Sequence, residues 1–191
     1  MNTTTATTAT TASLIDGVTI RRARPDDMMT VAGMVRSSAE WYRAIVDEKD
    51  MVEHEVGLEW ARINFRRRTF FVGELDGEPF GTISMQTFGS WCYVGYVYLD
   101  VAFVGRGLGR VLLDYVADRA RQMQLDGLSL IAHPRAEWAT RAYLKFGFEK
   151  VASAPDEVLA WQDGVLGPYY EQDFELYLYD FAAEDNTKVT A

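Results

Sequence analysis

Cysteine and histidine are scarce in this sequence. Its 191 residues hold one cysteine, Cys92, so no internal disulfide can form and no spaced thiolate cluster is available to a metal. His54 and His133 are the two histidines, and no carboxylate stands at ligand spacing from either, so no protein-held metal is expected. No apolar run approaches the roughly 18 residues of a membrane span. The N-terminus also lacks the basic flank and apolar centre of a secretion signal. A cytoplasmic protein without a membrane partner is therefore the expectation. Positive charge is in deficit as well: 19 basic against 28 acidic residues give a formal charge of −9. That balance argues against non-specific binding to nucleic acid and favours cationic partners.

What is present is core material. Hydrophobic residues make up 48% of the chain and aromatics 13%, enough at this length for one buried core and one domain. Residues Met1 to Ser13 are almost all Thr and Ala, without apolar periodicity. They are expected to form a disordered tail over 1–16, followed by a single domain over 17–182 and a short C-terminal tail over 183–191.

Val18 to Ala23 alternates as a strand does, and Pro25-Asp26-Asp27 opens a helix that runs on through Val31, Ala32 and Val35. A second helix is expected to set Val52, Val56, Trp60 and Ile63 on one face, with Glu40-Trp41-Tyr42-Arg43 as the connection between the two. Phe70 to Leu75, the turn Asp76-Gly77, Pro79 to Thr87 and Trp91 to Val101 read as a meander, Asp-Gly being a strong hairpin signal. Leu108, Val111, Leu112, Tyr115, Val116, Ala120 and Met123 recur at helical spacing, while Arg110, Asp114, Asp118 and Arg121 face away. Gly127 is expected to end that helix. A buried strand over Leu128 to Ala132, a helix over Glu137 to Phe146 stopped by Gly147, and strands over Phe148 to Ala152 and Phe174 to Phe181 complete the chain. The order β α α β β β α β α β β predicts an α/β sandwich around a mixed sheet.

Gly105-Arg106-Gly107-Leu108-Gly109-Arg110 follows a strand and enters a helix, so its backbone N–H groups can converge on an anion at the positive helix end. Neither nucleotide motif fits. A P-loop needs Lys and then Ser or Thr after the last glycine, where Arg110-Val111 stand, and the Rossmann fingerprint needs glycine at 110. The segment resembles the acyl-CoA pyrophosphate loop of the GCN5-related N-acetyltransferases: Gln or Arg, two residues, Gly, one residue, Gly or Ala. Gly107 and Gly109 take the glycine positions, and Val104 departs from the first. About 30 residues on, Ala139 to Phe148 looks like the alanine-x-x-x-tyrosine helix of that family, ending in Gly-Phe, with Ala136 where an asparagine often stands.

The resemblance implies a three-layer GNAT-like α/β sandwich whose central mixed sheet is mostly antiparallel, with acetyl-CoA as co-substrate and no metal. It implies a cofactor site made by Leu99, Val101, Val104, Gly105, Arg106, Gly107, Leu108, Gly109 and Arg110. In it the strand ending Leu99-Asp100-Val101 splays from the one over Leu128 to Ala132, and Leu99 and Val101 pair with pantetheine through their main chains. Tyr143 takes the position of the tyrosine that protonates the departing thiolate. A phenol near pKa 10 facing a thiolate near 8.5 makes this transfer uphill by about 1.5 units, yet feasible.

An attacking amine must also shed a proton. The strand over Trp91 to Leu99 carries no glutamate, which leaves Glu40, Glu137 or water linked to the tyrosines as candidates, and reads Asp100 as a surface acid at a strand end. Cys92 reads as a small buried residue, because neither histidine is near in sequence to activate it. The acceptor site is expected at Trp41, Tyr42, Tyr93 and Tyr96, with Trp91, Trp161, Tyr169 and Tyr170 adding to the aromatic cluster. Such walls beside acids suit an organic cation. Residues 153–173 form a long shaped link that either covers the acceptor site or packs on a second subunit in a homodimer.

The reading is an N-acetyltransferase acting on a small-molecule amine by direct attack in a ternary complex. Two alternatives stand beside it: a non-catalytic acyl-CoA-binding sensor, and an enzyme that acetylates protein amines.

Overall fold

The structure, a computed structural model, describes residues 15–43 and 56–183, apart from the side chains of Ala39 and Glu40. A seven-stranded sheet runs through the molecule. Its strands are β1 (Val18–Arg22), β2 (Thr69–Leu75), β3 (Glu78–Phe88), β4 (Trp91–Leu99), β5 (Gly127–Ala132), β6 (Glu149–Ala152) and β7 (Glu175–Asp180). They lie in the order β1-β2-β3-β4-β5-β7-β6, and every pairing is antiparallel except β4 with β5. This is the α/β sandwich around a mixed sheet that the element order predicts, in the mostly antiparallel form that the resemblance implies.

Helices cover both faces. On one lies α3 (Leu108–Gln122), whose Leu108, Leu112, Leu113, Val116, Ala117 and Ala120 are buried against Phe71, Phe80, Ile83, Cys92, Val94 and Leu128. The neighbouring α4 (Glu137–Phe146) adds Tyr143 and Phe146 to the margin of this core and stops at Gly147, where φ is +125°. On the other face α1 (Met28–Arg43) and α2 (Leu58–Arg67) pack Met28, Val31 and Ala61 onto Phe70 and Val72. The short α5 (Pro155–Ala160) and the turns after it pack Val158 and Leu166 onto Tyr93 and Leu176. Alternation along β2 sends Phe70 and Phe71 to opposite cores, which is what a strand buried on both faces requires.

Several boundaries differ from the sequence reading. Glu40 to Arg43 are the last turn of α1 rather than a connection. In the second helix Val56 lies ahead of the first turn, Ile63 is exposed, and the inner face is Trp60, Ala61 and Phe65, while Val52 falls outside the described residues. The third helix ends at Gln122, leaving Met123 exposed, and Gln124 takes the positive φ of the turn. Gly127 instead opens β5, where a Cβ would overlap the carbonyl oxygen of Tyr179 and the ring of Trp91. The strand expected to reach Val101 stops at Leu99, because the carboxylate of Asp100 accepts from Ala102 N at 2.9 Å and starts a helical turn.

Candidate active site

Two features of β4 create the site. The first is its brief pairing with β5: Trp91, Cys92 and Tyr93 face Gly127, Leu128 and Ser129, and beyond Tyr93 the two parallel strands part. The second is a bulge. Between the pairs Gly95 with Ser84 and Tyr98 with Thr82, two residues of β4 oppose one of β3, and Tyr96 sits at φ +49°. The extra residue shifts the phase of alternation. Val94, Val97 and Leu99 face the α3 core, whereas Tyr93 and Tyr96 both face the other side.

One cavity, of about 430 Å³, opens in the cleft beside β4. It is lined by Val97, Tyr98 and Leu99 of β4, by the turn through Gly105, Gly107 and Gly109 into α3, and by Trp138, Ala139, Ala142 and Tyr143 of α4. The end of α1 closes it with Ser38, Trp41 and Tyr42. Trp41 and Trp138 meet edge to face at 5.6 Å, and Tyr42 and Trp138 at 5.4 Å. Gly105 and Gly107 have φ of +83° and +79°, the left-handed region where a side chain is strained. Gly107 caps the 15-residue α3, and Arg110 N donates back to its carbonyl at 3.1 Å. The N–H groups ahead of Arg110 are those a helix start leaves for an anion.

The second cavity, of about 300 Å³, lies on the α2 side of β4. Tyr93, Gly95 and Tyr96 form its floor, Trp60, Asn64, Arg67 and Arg68 one wall, and His133, Tyr169, Glu171 and Phe174 another. The two cavities share Tyr42, Val97, Tyr98, Ala139 and Tyr143, so they meet at these residues. Burial raises the Tyr42 hydroxyl to about 12, with Glu171 adding to the shift. Burial likewise holds Tyr98 and Tyr143 well above the usual phenol range, Tyr42 adding to both. These hydroxyls therefore stay protonated at neutral pH.

A model of the acetyltransferase (GNAT) family matches residues 32–148, more than half of the sequence. The chain belongs to the GNAT acetyltransferase family. Among solved structures, it is similar to the PaiA N-acetyltransferase of Thermoplasma acidophilum in complex with coenzyme A, at 16% identity and a TM-score of 0.66, covering 86% of this chain and 99% of that one. It is also similar to a chimera of spermidine N-acetyltransferase from Vibrio cholerae, at 14% identity and a TM-score of 0.64 over 86% and 96% of the two chains. Against N-acetylglutamate synthase of Neisseria gonorrhoeae, with coenzyme A and N-acetyl-glutamate, the identity is 18% and the TM-score 0.63 over 85% of this chain and 35% of that one. No curated protein matches by sequence.

The GNAT chain brings together most of the residues that its loop motif singles out. Leu99, Val101, Val104, Gly105, Gly107, Gly109 and Arg110 all line the larger cavity. Arg106 and Leu108 do not. The Arg106 guanidinium lies 5.2 Å over the ring of Phe103, and Leu108 is buried in the core at 1% exposure. Arg110 stacks 5.3 Å over Phe146 and reaches Asp114 at 3.5 Å. The cleft suits acetyl-CoA on two counts: β4 beyond Tyr93 has no strand beside it on the β5 side among the described residues, and the helix start supplies N–H donors at one end.

Of the aromatics assigned to an acceptor, Tyr93, Tyr96 and Tyr42 line the smaller cavity, whereas Trp41 lines the larger one. Trp91 and Trp161 pack on each other at 6.2 Å and line neither. Glu137 is exposed and paired with Arg141 at 3.3 Å, and Asp100 caps its own turn. Neither lines a cavity. Cys92 is fully buried and its thiol is pushed up to about 12 by that burial, so no thiolate is available for acyl transfer. Arg68, His133 and Glu171 are among the cavity residues that the sequence reading does not assign to a site. Nothing in their spacing marks them, because they come from the end of α2, the end of β5 and the link before β7. The rings of Tyr93, Tyr96 and Tyr169 already face a cation, for the Arg68 guanidinium lies 5.6, 4.8 and 4.6 Å from their centroids. An aromatic wall that suits an external cation in the sequence is thus taken by the protein's own arginine.

Proposed function

We propose that the protein transfers an acetyl group from acetyl-CoA to a small-molecule amine by direct attack while both are bound. The observation that carries this reading is the junction of the two cavities at Tyr42, Tyr98 and Tyr143, one cavity reaching the helix start and the other polar. Bound acetyl-CoA supplies an activated acyl group with a thiolate as leaving group.

The chain's residues divide the remaining work. The N–H groups at Gly107 to Gly109 hold the diphosphate, and the main chain at Leu99 and Val101 aligns the pantetheine arm. Tyr143, protonated at neutral pH, gives its proton to the departing sulfur and is the catalytic residue of this reading, although burial makes that transfer more uphill than the about 1.5 units expected of a free phenol. Glu171 is the carboxylate that lines the acceptor cavity among the described residues, and it draws the proton from the amine directly or through water. His133 is less suited to that task, since its Nδ1 already accepts from Arg135 N at 3.1 Å. The link over 153–173 supports a small acceptor, since its Pro168, Tyr169 and Glu171 wall the cavity.

The test is thiol release from acetyl-CoA with a panel of primary amines, with product acetylation read by mass spectrometry. Amine-dependent release with one acetyl group added per thiol freed is the expected result. Hydrolysis of acetyl-CoA without acetylated amine would contradict the transfer, and no release with any amine despite coenzyme A binding would favour the sensor reading.

A further inference from the structure

Arg68 is 9% exposed, and its Nε and Nη1 have no hydrogen-bond partner among the described residues. The guanidinium lines the smaller cavity, over the rings of Tyr96 and Tyr169. Rings are no hydrogen-bond acceptors for Nε and Nη1, which stay unpaired among the described residues. Withholding acceptors from a buried charged donor costs far more than the stacking returns. A second observation comes from the cavity floor. Gly95 is the residue beneath the guanidinium, and a Cβ there would stand 2.7 Å from Nη1. The missing side chain is thus what gives the guanidinium room beside β4.

We infer that the acceptor carries a carboxylate as well as an amine, and that Arg68 binds this carboxylate at the floor of the smaller cavity. The inference rests on the proposed acetyl transfer and names the substrate class of that same site. A planar guanidinium presents paired N–H groups along its edges, a match for the two oxygens of a carboxylate. With the carboxylate on Arg68, the remaining cavity leads to Tyr98 and Tyr143, where the two cavities meet. Glu171, whose charge is felt at Tyr42 and Tyr98, lies on the way. An arginine for the acid and a glutamate for the amine describe a receptor for a zwitterion of the amino-acid class. Trp60 and Phe174 add apolar wall for its side chain.

Matched sets test this: an α-amino acid, its carboxamide, and the amine lacking the carboxyl carbon, each on aromatic, aliphatic and acidic skeletons. In the wild-type protein the acid of the best set should exceed its carboxamide in kcat/KM by roughly 10²-fold, the scale for leaving a buried charged donor unpaired. In Arg68→Met that preference should fall below about tenfold, and Arg68→Lys should restore part of it. Coenzyme A titration and circular dichroism of each variant show whether it is folded. If Arg68→Met does not fold, Gly95→Ala applies the same test by crowding Nη1, with coenzyme A affinity unchanged. Calorimetry of the same panel in the presence of coenzyme A reads Arg68 independently of turnover. Carboxylate-dependent binding without thiol release would contradict the transferase reading and uphold this one. Thiol release with equal use of acids and carboxamides would do the reverse, and the absence of both binding and release with every acid would overturn the inference.

Discussion

The indole Nε1 of Trp60 donates to the hydroxyl of Tyr96 at 3.2 Å, across ring centroids 5.2 Å apart. One residue belongs to α2 and the other to the bulge in β4, so this contact fixes the wall of the smaller cavity to its floor. Tyr96 holds a positive φ that a tyrosine adopts only when its surroundings enforce it. Trp60, Phe70 and the Arg68 guanidinium are those surroundings.

Trp60→Phe should therefore lower stability by about 1 kcal/mol, the worth of one hydrogen bond. It should also raise KM for the acceptor several-fold while leaving coenzyme A affinity unchanged, since Trp60 lines the smaller cavity and not the larger. Chemical denaturation and calorimetry read the two effects separately.

Tyr143→Phe removes the hydroxyl at the cavity junction and little else, because the ring keeps its place beside Phe148 at 5.9 Å. The expected result is a kcat roughly 10²-fold lower with coenzyme A affinity within about twofold. Since burial raises the phenol's pKa, the wild-type rate should show no descending limb from this group around pH 10, where a free tyrosine ionises.

The same burial has a consequence for stability. Tyr42 and Cys92 are both pushed to about 12, so the folded chain holds protons that the unfolded chain loses above roughly 9 to 10. Bound protons are then fewer in the unfolded state, and stability must fall as pH rises from about 9 toward 12. Thermal melts at pH 8 and pH 10.5 should show a lower Tm at the higher pH, and Tyr42→Phe should reduce the difference.

At the turn into α3, Gly107→Ala meets open space, with nothing within 4 Å of the added Cβ, but must hold φ at +79°. A cost of about 1 kcal/mol in stability follows from the backbone alone. The donors of the helix start shift with it, and coenzyme A affinity should drop roughly tenfold by titration calorimetry.

How much of this is legible in the sequence depends on whether the information is local. Helix α4 is, because its apolar spacing and Gly147 lie within a dozen residues, and so is the hairpin at Asp76-Gly77. The glycine turn into α3 is legible for the same reason. The bulge is not. A regular strand over Trp91 to Leu99 would put Tyr93 and Tyr96 on opposite faces, and only the register against β3 shows the added residue that unites them. Arg68, His133 and Glu171 are equally opaque, since they stand far apart in the chain, before β2, after β5 and before β7, and meet only through the order of the strands in the sheet. Helix α1 reaches Arg43 although Trp41 and Tyr42 are ordinary helix formers at best, because their rings find Trp138 of α4 to pack against.

The central claim is that donor and acceptor occupy adjoining cavities together, with transfer at Tyr98 and Tyr143. Initial rates of thiol release, with acetyl-CoA varied at several fixed concentrations of the best amine, test it most directly. Double-reciprocal lines that intersect are the predicted result. Parallel lines, the mark of an acylated enzyme intermediate, would contradict it.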